Sequence, residues 1–160
     1  MDVEKQGQDI VVQIVKNFKD ADVSLPQLKN LVSAICNRFE ISRATVGIAI
    51  VDDAQIRRIN KQFLNRDWAT DCLSFDLSDK GKQSPKSFEL VVNAEEAARE
   101  ASLRGHPAEA ELALYVTHGL LHNLGFDDTA PDQAEKMHQT EDEILQQLGF
   151  GLVYNKSVKK

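Results

Sequence analysis

At 160 residues the chain is long enough for one domain with a core of its own and too short for two. With 42% hydrophobic and 28% charged residues it has the composition of an ordinary globular protein, and no apolar run approaches the roughly 20 residues that span a bilayer. A net charge of −6 argues against binding nucleic acid through the whole surface, but Arg57, Arg58, Lys61 and Arg66 gather within ten residues as a local basic patch.

Residues 9–18 are rich in β-branched side chains and read as a strand. A helix over 24–40 follows, with Ser24 as N-cap, Pro26 in its first turn and apolar residues at helical spacing. Residues 44–53 form an apolar run of strand length. The stretch 53–64 reads as a short amphipathic helix capped by Asp53, with Ile56, Ile59 and Phe63 on one side. Alternation over 70–78 predicts another strand, and 79–87 is a polar connector with Gly and Pro, expected to be mobile. A strand over 88–93 leads into a helix over 94–105 closed by Gly105. Residues 107–125 predict a helix apolar on almost every side, central and buried, with Gly125 as a left-handed cap. The last helix spans 129–149, and from about residue 150 a flexible basic tail is expected. The order predicts one α+β domain over 1–160, a small mixed sheet of four strands covered by about five helices. Cys36 and Cys72 have no framework spacing, and "MDVEKQGQDI" lacks a basic start followed by an apolar stretch. The expectation is two reduced thiols in a cytoplasmic protein.

The chemistry concentrates in "THGLLHNLGFDDTA", residues 117–130. At 3.6 residues per turn, His118 and His122 project about 40° apart around the helix axis, so both imidazoles can approach one ion. Gly125 can turn the chain sharply, and Asp128 can then return a carboxylate to the same ion. Asp127 is the rival third ligand, an alternative acceptor for a ligand N–H and the candidate catalytic residue. In zinc peptidases of the His-Glu-x-x-His type the residue after the first histidine is the general base; here it is Gly119. Peptide hydrolysis in that manner lacks its base, whereas an ion can still activate water or polarise a phosphoryl oxygen. A mid-helix glycine also implies a need for space, taken by another chain segment, a crossing helix or substrate. His106 and His138 read as a loop residue and an exposed helix residue, and Cys72 as a small buried side chain.

These stretches resemble the YbeY family of bacterial rRNA-maturation endoribonucleases. "HGLLHNLGFDD" is similar to its His-Gly-x-Leu-His-Leu-x-Gly-Tyr-Asp-His signature, and "TDCLSFDL" to its Thr-Asp-Val-Leu-Ser-Phe-Pro strand. "INKQFLNRDWATD" resembles the helix and loop before that strand, and "MHQTEDEILQQLG" the family's Met-x3-Glu-x2-Ile-Leu helix. The resemblance implies a zincin-like metallohydrolase arrangement and one zinc-type ion on His118, His122 and Asp128. The family's third histidine falls on Asp128, its loop basic residue on Leu64 and its strand proline on Asp76. It further implies a metal-dependent endoribonuclease that uses water as nucleophile on single-stranded RNA, maturing the 3′ end of small-subunit rRNA and acting in ribosome quality control. The ribosomal small subunit or its assembly factors are the implied partners; neither a membrane nor DNA is expected. Lys61 and Arg66, with Arg57, are the candidate phosphate contacts, and Thr70 and Ser74 the substrate contacts of a strand bordering the metal cleft. The alternative is a ribosome-assembly binding factor with a structural ion and little catalysis.

Overall fold

The computed structural model describes residues 9–19, 23–81 and 84–151. The expected basic tail lies, beyond Gly151, outside the described residues, as do residues 82 and 83 of the connector expected to be mobile. Nine elements follow in order: β1 (Asp9–Lys16), α1 (Leu25–Arg38), β2 (Arg43–Val51), α2 (Asp53–Leu64), β3 (Cys72–Asp76), β4 (Lys86–Asn93), α3 (Ala94–Arg104), α4 (Ala108–Asn123) and α5 (Pro131–Gln147). The sheet order is β1-β2-β4-β3, with β1, β2 and β4 parallel and β3 antiparallel to β4. This is the expected α+β architecture of a mixed four-stranded sheet and five helices.

Burial follows position in the sheet. Central β2 and β4 are apolar over most of their length and bury both faces, as parallel strands covered on both sides do. Edge strand β1 alternates, turning Ile10, Val12 and Ile14 to the core and Val11 and Val15 to solvent. The main core joins α1, β2, β4, α4 and α5 around Leu31, Ile48, Leu90, Leu120 and Leu145. A smaller cluster of Val51, Ile56, Leu73 and Val91 unites α2 with β2, β3 and β4. Helix α4 is the central one: from Ala110 to Leu121 every residue is buried except His118. Among the described residues no helix is long and apolar enough to cross a membrane.

One local reading changes and one is narrowed. The N-cap of α2 is Asp52, not Asp53; its carboxylate accepts from Gln55 N at 2.9 Å while the Gln55 side chain accepts from Asp52 N at 3.0 Å. Asp53 is thereby released for another task. It accepts from Asn93 Nδ2 at 2.7 Å and from both terminal nitrogens of Arg99 at 2.7 and 2.9 Å, tying the start of α2 to the start of α3. Gly119 is small because the sheet, not another helix, crosses it: a Cβ there would lie 2.9 Å from Cys72 Sγ and 2.9 Å from Leu90 Cδ2.

Helix propensity alone makes Gly119→Ala stabilising by about 1 kcal/mol. The two contacts below 3 Å reverse the sign, and a net loss of about 1–3 kcal/mol is expected in urea unfolding; a gain would show that the sheet yields freely. The Arg99 and Asn93 hydrogen bonds hold the Asp53 carboxyl down at about 2. A carboxylate with a depressed folded pKa contributes stability above the ordinary carboxylate range and loses it as pH falls through the folded value. Asp53→Asn should therefore lower the urea midpoint at pH 7, and the gap from the parent should close between pH 4 and about 2. A gap that does not change with pH would show that the pair adds nothing.

Candidate metal centre

Helix α4 presents His118 and His122 with their rings edge to face, centroids 4.5 Å apart. Each ring is fixed through its Nδ1. His118 Nδ1 lies 2.5 Å from Glu141 Oε2, on α5, and His122 Nδ1 lies 3.2 Å from the Phe126 carbonyl. A carboxylate and a carbonyl only accept, so both Nδ1 atoms donate, and each neutral imidazole is left with a lone pair on Nε2. The two Nε2 atoms face each other at 3.0 Å. Two lone pairs at that distance repel unless a proton or a cation lies at the same place.

Asp128 supplies the third corner, its Oδ2 lying 3.7 Å from His118 Nε2 and 3.8 Å from His122 Nε2. Ligands about 2.0–2.1 Å from a tetrahedral ion stand about 3.3 Å apart, and the observed triangle brackets that spacing. Among the described residues, these three form the one group of three His, Cys, Asp or Glu residues whose ligand atoms all lie within 4.8 Å of one another. Two imidazoles and one carboxylate are a donor set suited to zinc, with coordination positions left over. Burial pulls the pKa of His118 down, but the Glu141 hydrogen bond and charge, with Asp71 and Asp128, outweigh it and leave the pKa raised. Positive charge is therefore favoured here, whether carried by a proton or by an ion.

The geometry depends on how α4 ends. Gly125, at φ +102°, turns the chain so that Phe126 N bonds the Leu121 carbonyl at 2.9 Å and Gly125 N the His122 carbonyl at 3.1 Å. This left-handed ending is the Schellman arrangement. It also delivers the Phe126 carbonyl to His122 and anchors the Phe126 ring edge-on against Phe39, at 5.6 Å. Asp127 and Asp128 then diverge. The Asp127 oxygens are taken up by Thr129, from its N and its Oγ1, both at 3.1 Å, and these bonds lower its pKa. Asp128 is the one turned to the histidines.

The other candidates are spread along the neighbouring elements. Ser74 on β3 would lie 3.6 Å from a Cβ at Gly119, so the strand crosses α4 one residue from His118. Thr70 gives its hydroxyl to Asp71 at 3.5 Å and its carbonyl accepts from Asn93. Lys61 and Arg66 are exposed around the end of α2, and neither makes an ion pair with the histidine group. Arg57 is bound to Asp67 at 2.8 Å. Two residues outside the candidate set prove central: Glu141, fully buried, bonds His118 through Oε2 and His138 Nδ1 through Oε1 at 2.9 Å. His138 is thus a half-buried partner rather than an exposed residue. His106, read as a plain loop residue, is nearly buried and lies 2.6 Å from Glu111. A carboxylate on the apolar face of an amphipathic helix, between Met137, Ile144 and Leu145, was the signal for Glu141.

Known proteins place this arrangement in context. The family model described as Endoribonuclease YbeY matches residues 13–149. The chain is 37% identical over 116 residues to an Endoribonuclease YbeY of Myxococcus xanthus, covering 71% of this chain and 40% of that protein. It is 34% identical to that of Aromatoleum aromaticum, covering 74% and 77% of the two chains, and 32% identical to that of Carboxydothermus hydrogenoformans, covering 82% and 91%. The matched stretch therefore spans less than half of the Myxococcus protein and most of the other two. In fold, the solution structure of TM1509 from Thermotoga maritima superposes with a TM-score of 0.57 at 24% identity, covering 86% of this chain and 91% of that one. With the family model laid over all but the ends of the sequence, and with relatives above 30% identity over more than two thirds of it, the chain belongs to the YbeY family.

Proposed function

We propose that this protein is a metal-dependent endoribonuclease that cuts single-stranded RNA, with one zinc ion held by His118, His122 and Asp128. The observation that carries the reading is the pair of Nε2 lone pairs directed at one point, each fixed by a hydrogen bond on the far side of its ring. The name of the relatives supports RNA as the substrate. Maturation of the small-subunit rRNA 3′ end, ribosome quality control and a cytoplasmic location belong to the same proposal, on the strength of the motif resemblance. A bound divalent ion would polarise a phosphoryl oxygen and lower the pKa of the attacking water.

The remaining work falls to the chain's own side chains. Glu141 holds the His118 ring in the orientation that points Nε2 outwards. Asp127, whose pKa the Thr129 hydrogen bonds lower, is the candidate catalytic acceptor beside the third ligand. Lys61 and Arg66 offer exposed positive charge to phosphates, while Thr70 and Ser74 face the substrate from the β3 side. One observation favours a second reading, an assembly factor with a structural ion: Arg57 is already engaged by Asp67, so less of the basic patch is available to RNA.

Elemental mass spectrometry of the purified protein should find about one zinc ion per chain, sharply reduced by Asp128→Ala. Equal metal in both proteins would remove Asp128 from the ligand set. His122→Ala should abolish a chelator-sensitive cleavage of single-stranded RNA while the circular dichroism spectrum is kept. Undiminished cleavage would overturn the site, and ribosome binding without any cleavage in the parent would favour the assembly factor.

A further inference from the structure

A cleft of about 310 Å³ shares His118 and Glu141 with the metal centre. Its polar wall is Asp71, Glu96, Glu100, Glu111 and Tyr115, with Arg104 as the cation among them. Carboxylates so outnumber the arginine that a phosphate is excluded; whatever enters must bring hydrogen-bond donors. Several carboxylates are already engaged. Glu96 is held by Arg99 at 2.5 Å, and Glu111 by His106 at 2.6 Å with Arg104 at 3.6 Å. The carboxylates of Asp71 and Glu100 retain most of their capacity to accept, Asp71 receiving, among the described residues, only the 3.5 Å bond from Thr70 and Glu100 only Arg104 at 3.6 Å.

Tyr115 is the second observation. Its side chain lines the cleft, the residue is only 4% exposed, and among the described residues no hydrogen bond reaches its hydroxyl. Burial, and then the charges of Glu111, Asp71, Glu96 and Glu100, raise its pKa, so the group stays a donor. A hydroxyl that opens on the cleft and bonds nothing in the fold is free to donate, and the complement it lacks is an acceptor. The cleft thus offers one donor next to anionic acceptors.

A guanine edge carries the opposite set: the O6 acceptor beside the N1–H and N2–H donors. Uracil presents a single N–H flanked by two carbonyl oxygens, which would meet the carboxylates with like charge. The volume is at the lower end of small-ligand sites, about 300–1,000 Å³, and suits one base. We propose that this cleft reads a guanine next to the phosphate held at the metal centre, the Tyr115 hydroxyl donating to O6 while Asp71 and Glu100 accept from N1–H and N2–H. The proposal rests on the nuclease reading for its substrate but can be tested apart from cleavage.

The test is titration of guanosine 3′-monophosphate and uridine 3′-monophosphate into the full chain by NMR. Guanosine 3′-monophosphate should bind about tenfold more tightly. Tyr115→Phe, which removes a hydroxyl that bonds nothing in the fold, and Glu100→Gln should each erase most of that preference. Equal or absent binding of the two nucleotides overturns the pocket, as does a preference that both variants retain. Cleavage of single-stranded oligonucleotides with one guanine separates the two readings. Guanosine preference without cleavage would sink the nuclease and keep the pocket, while cleavage blind to the neighbouring base would sink the pocket and keep the nuclease.

Discussion

The candidate metal centre depends on a carboxylate that never meets water. Glu141 sits in the middle of α5 with no exposure, where an unpaired charge would be strongly unfavourable. Its two oxygens are divided between His118 and His138, so its charge is shared by α4 and its own helix. That division consumes the Nδ1 proton of His118, fixes the ring and leaves Nε2 facing outwards. The same bond raises the basicity of Nε2, so that on the proposed ligand set one interaction serves both the α4–α5 contact and ligand strength.

At the third corner the chain departs from the family signature, with Asp128 in place of an imidazole. On the proposed ligand set, a carboxylate cancels one more unit of the ion's charge and makes a water ligand a weaker acid than three neutral histidines would. Asp128 is also the least sheltered of the three, set on the strand of chain that leaves the Gly125 turn. The acidic cleft behind His118 adds to the same bias. The neighbourhood is built to hold positive charge, and basic residues able to meet a phosphate lie farther out, around the end of α2.

The sequence was most legible where local chemistry suffices. The bounds of α2, the Ser24 cap of α1 and the sharp ending at Gly125 follow from side chains a few residues apart. Even the misplaced cap had its sign in view, since Gln55 stands three residues after Asp52 and completes a capping box that Asp53 cannot. What lay hidden depended on partners distant in the chain. Lys86 and Ser87 are strand because Ala44 and Thr45 pair with them, although their own residue types read as connector. His106 and His138 look alike in sequence, polar residues among charges; Glu111 and Glu141 stand only five and three residues on, and what hid these pairs is that both carboxylates are buried by the packing of their helices against the rest of the chain. Gly119 announced a need for space, but only the crossing of Cys72 and Leu90 identified its cause.

The three proposed ligands are confined to residues 118–128, all on one helix end and its turn. Such a compact ligand set travels with the chain even when it is unfolded. A disordered segment with two histidines and nearby aspartates retains some affinity for the ion, and any affinity of the unfolded state subtracts from the stabilisation that binding gives the folded one. The ion would therefore do less as a clamp than its ligand count suggests. Glu141 and the Phe126 carbonyl become organised only when α5 and the Gly125 turn are in place, so they set the difference between the two affinities. In thermodynamic terms, the surroundings of the ligands, more than the ligands themselves, couple the metal to the fold.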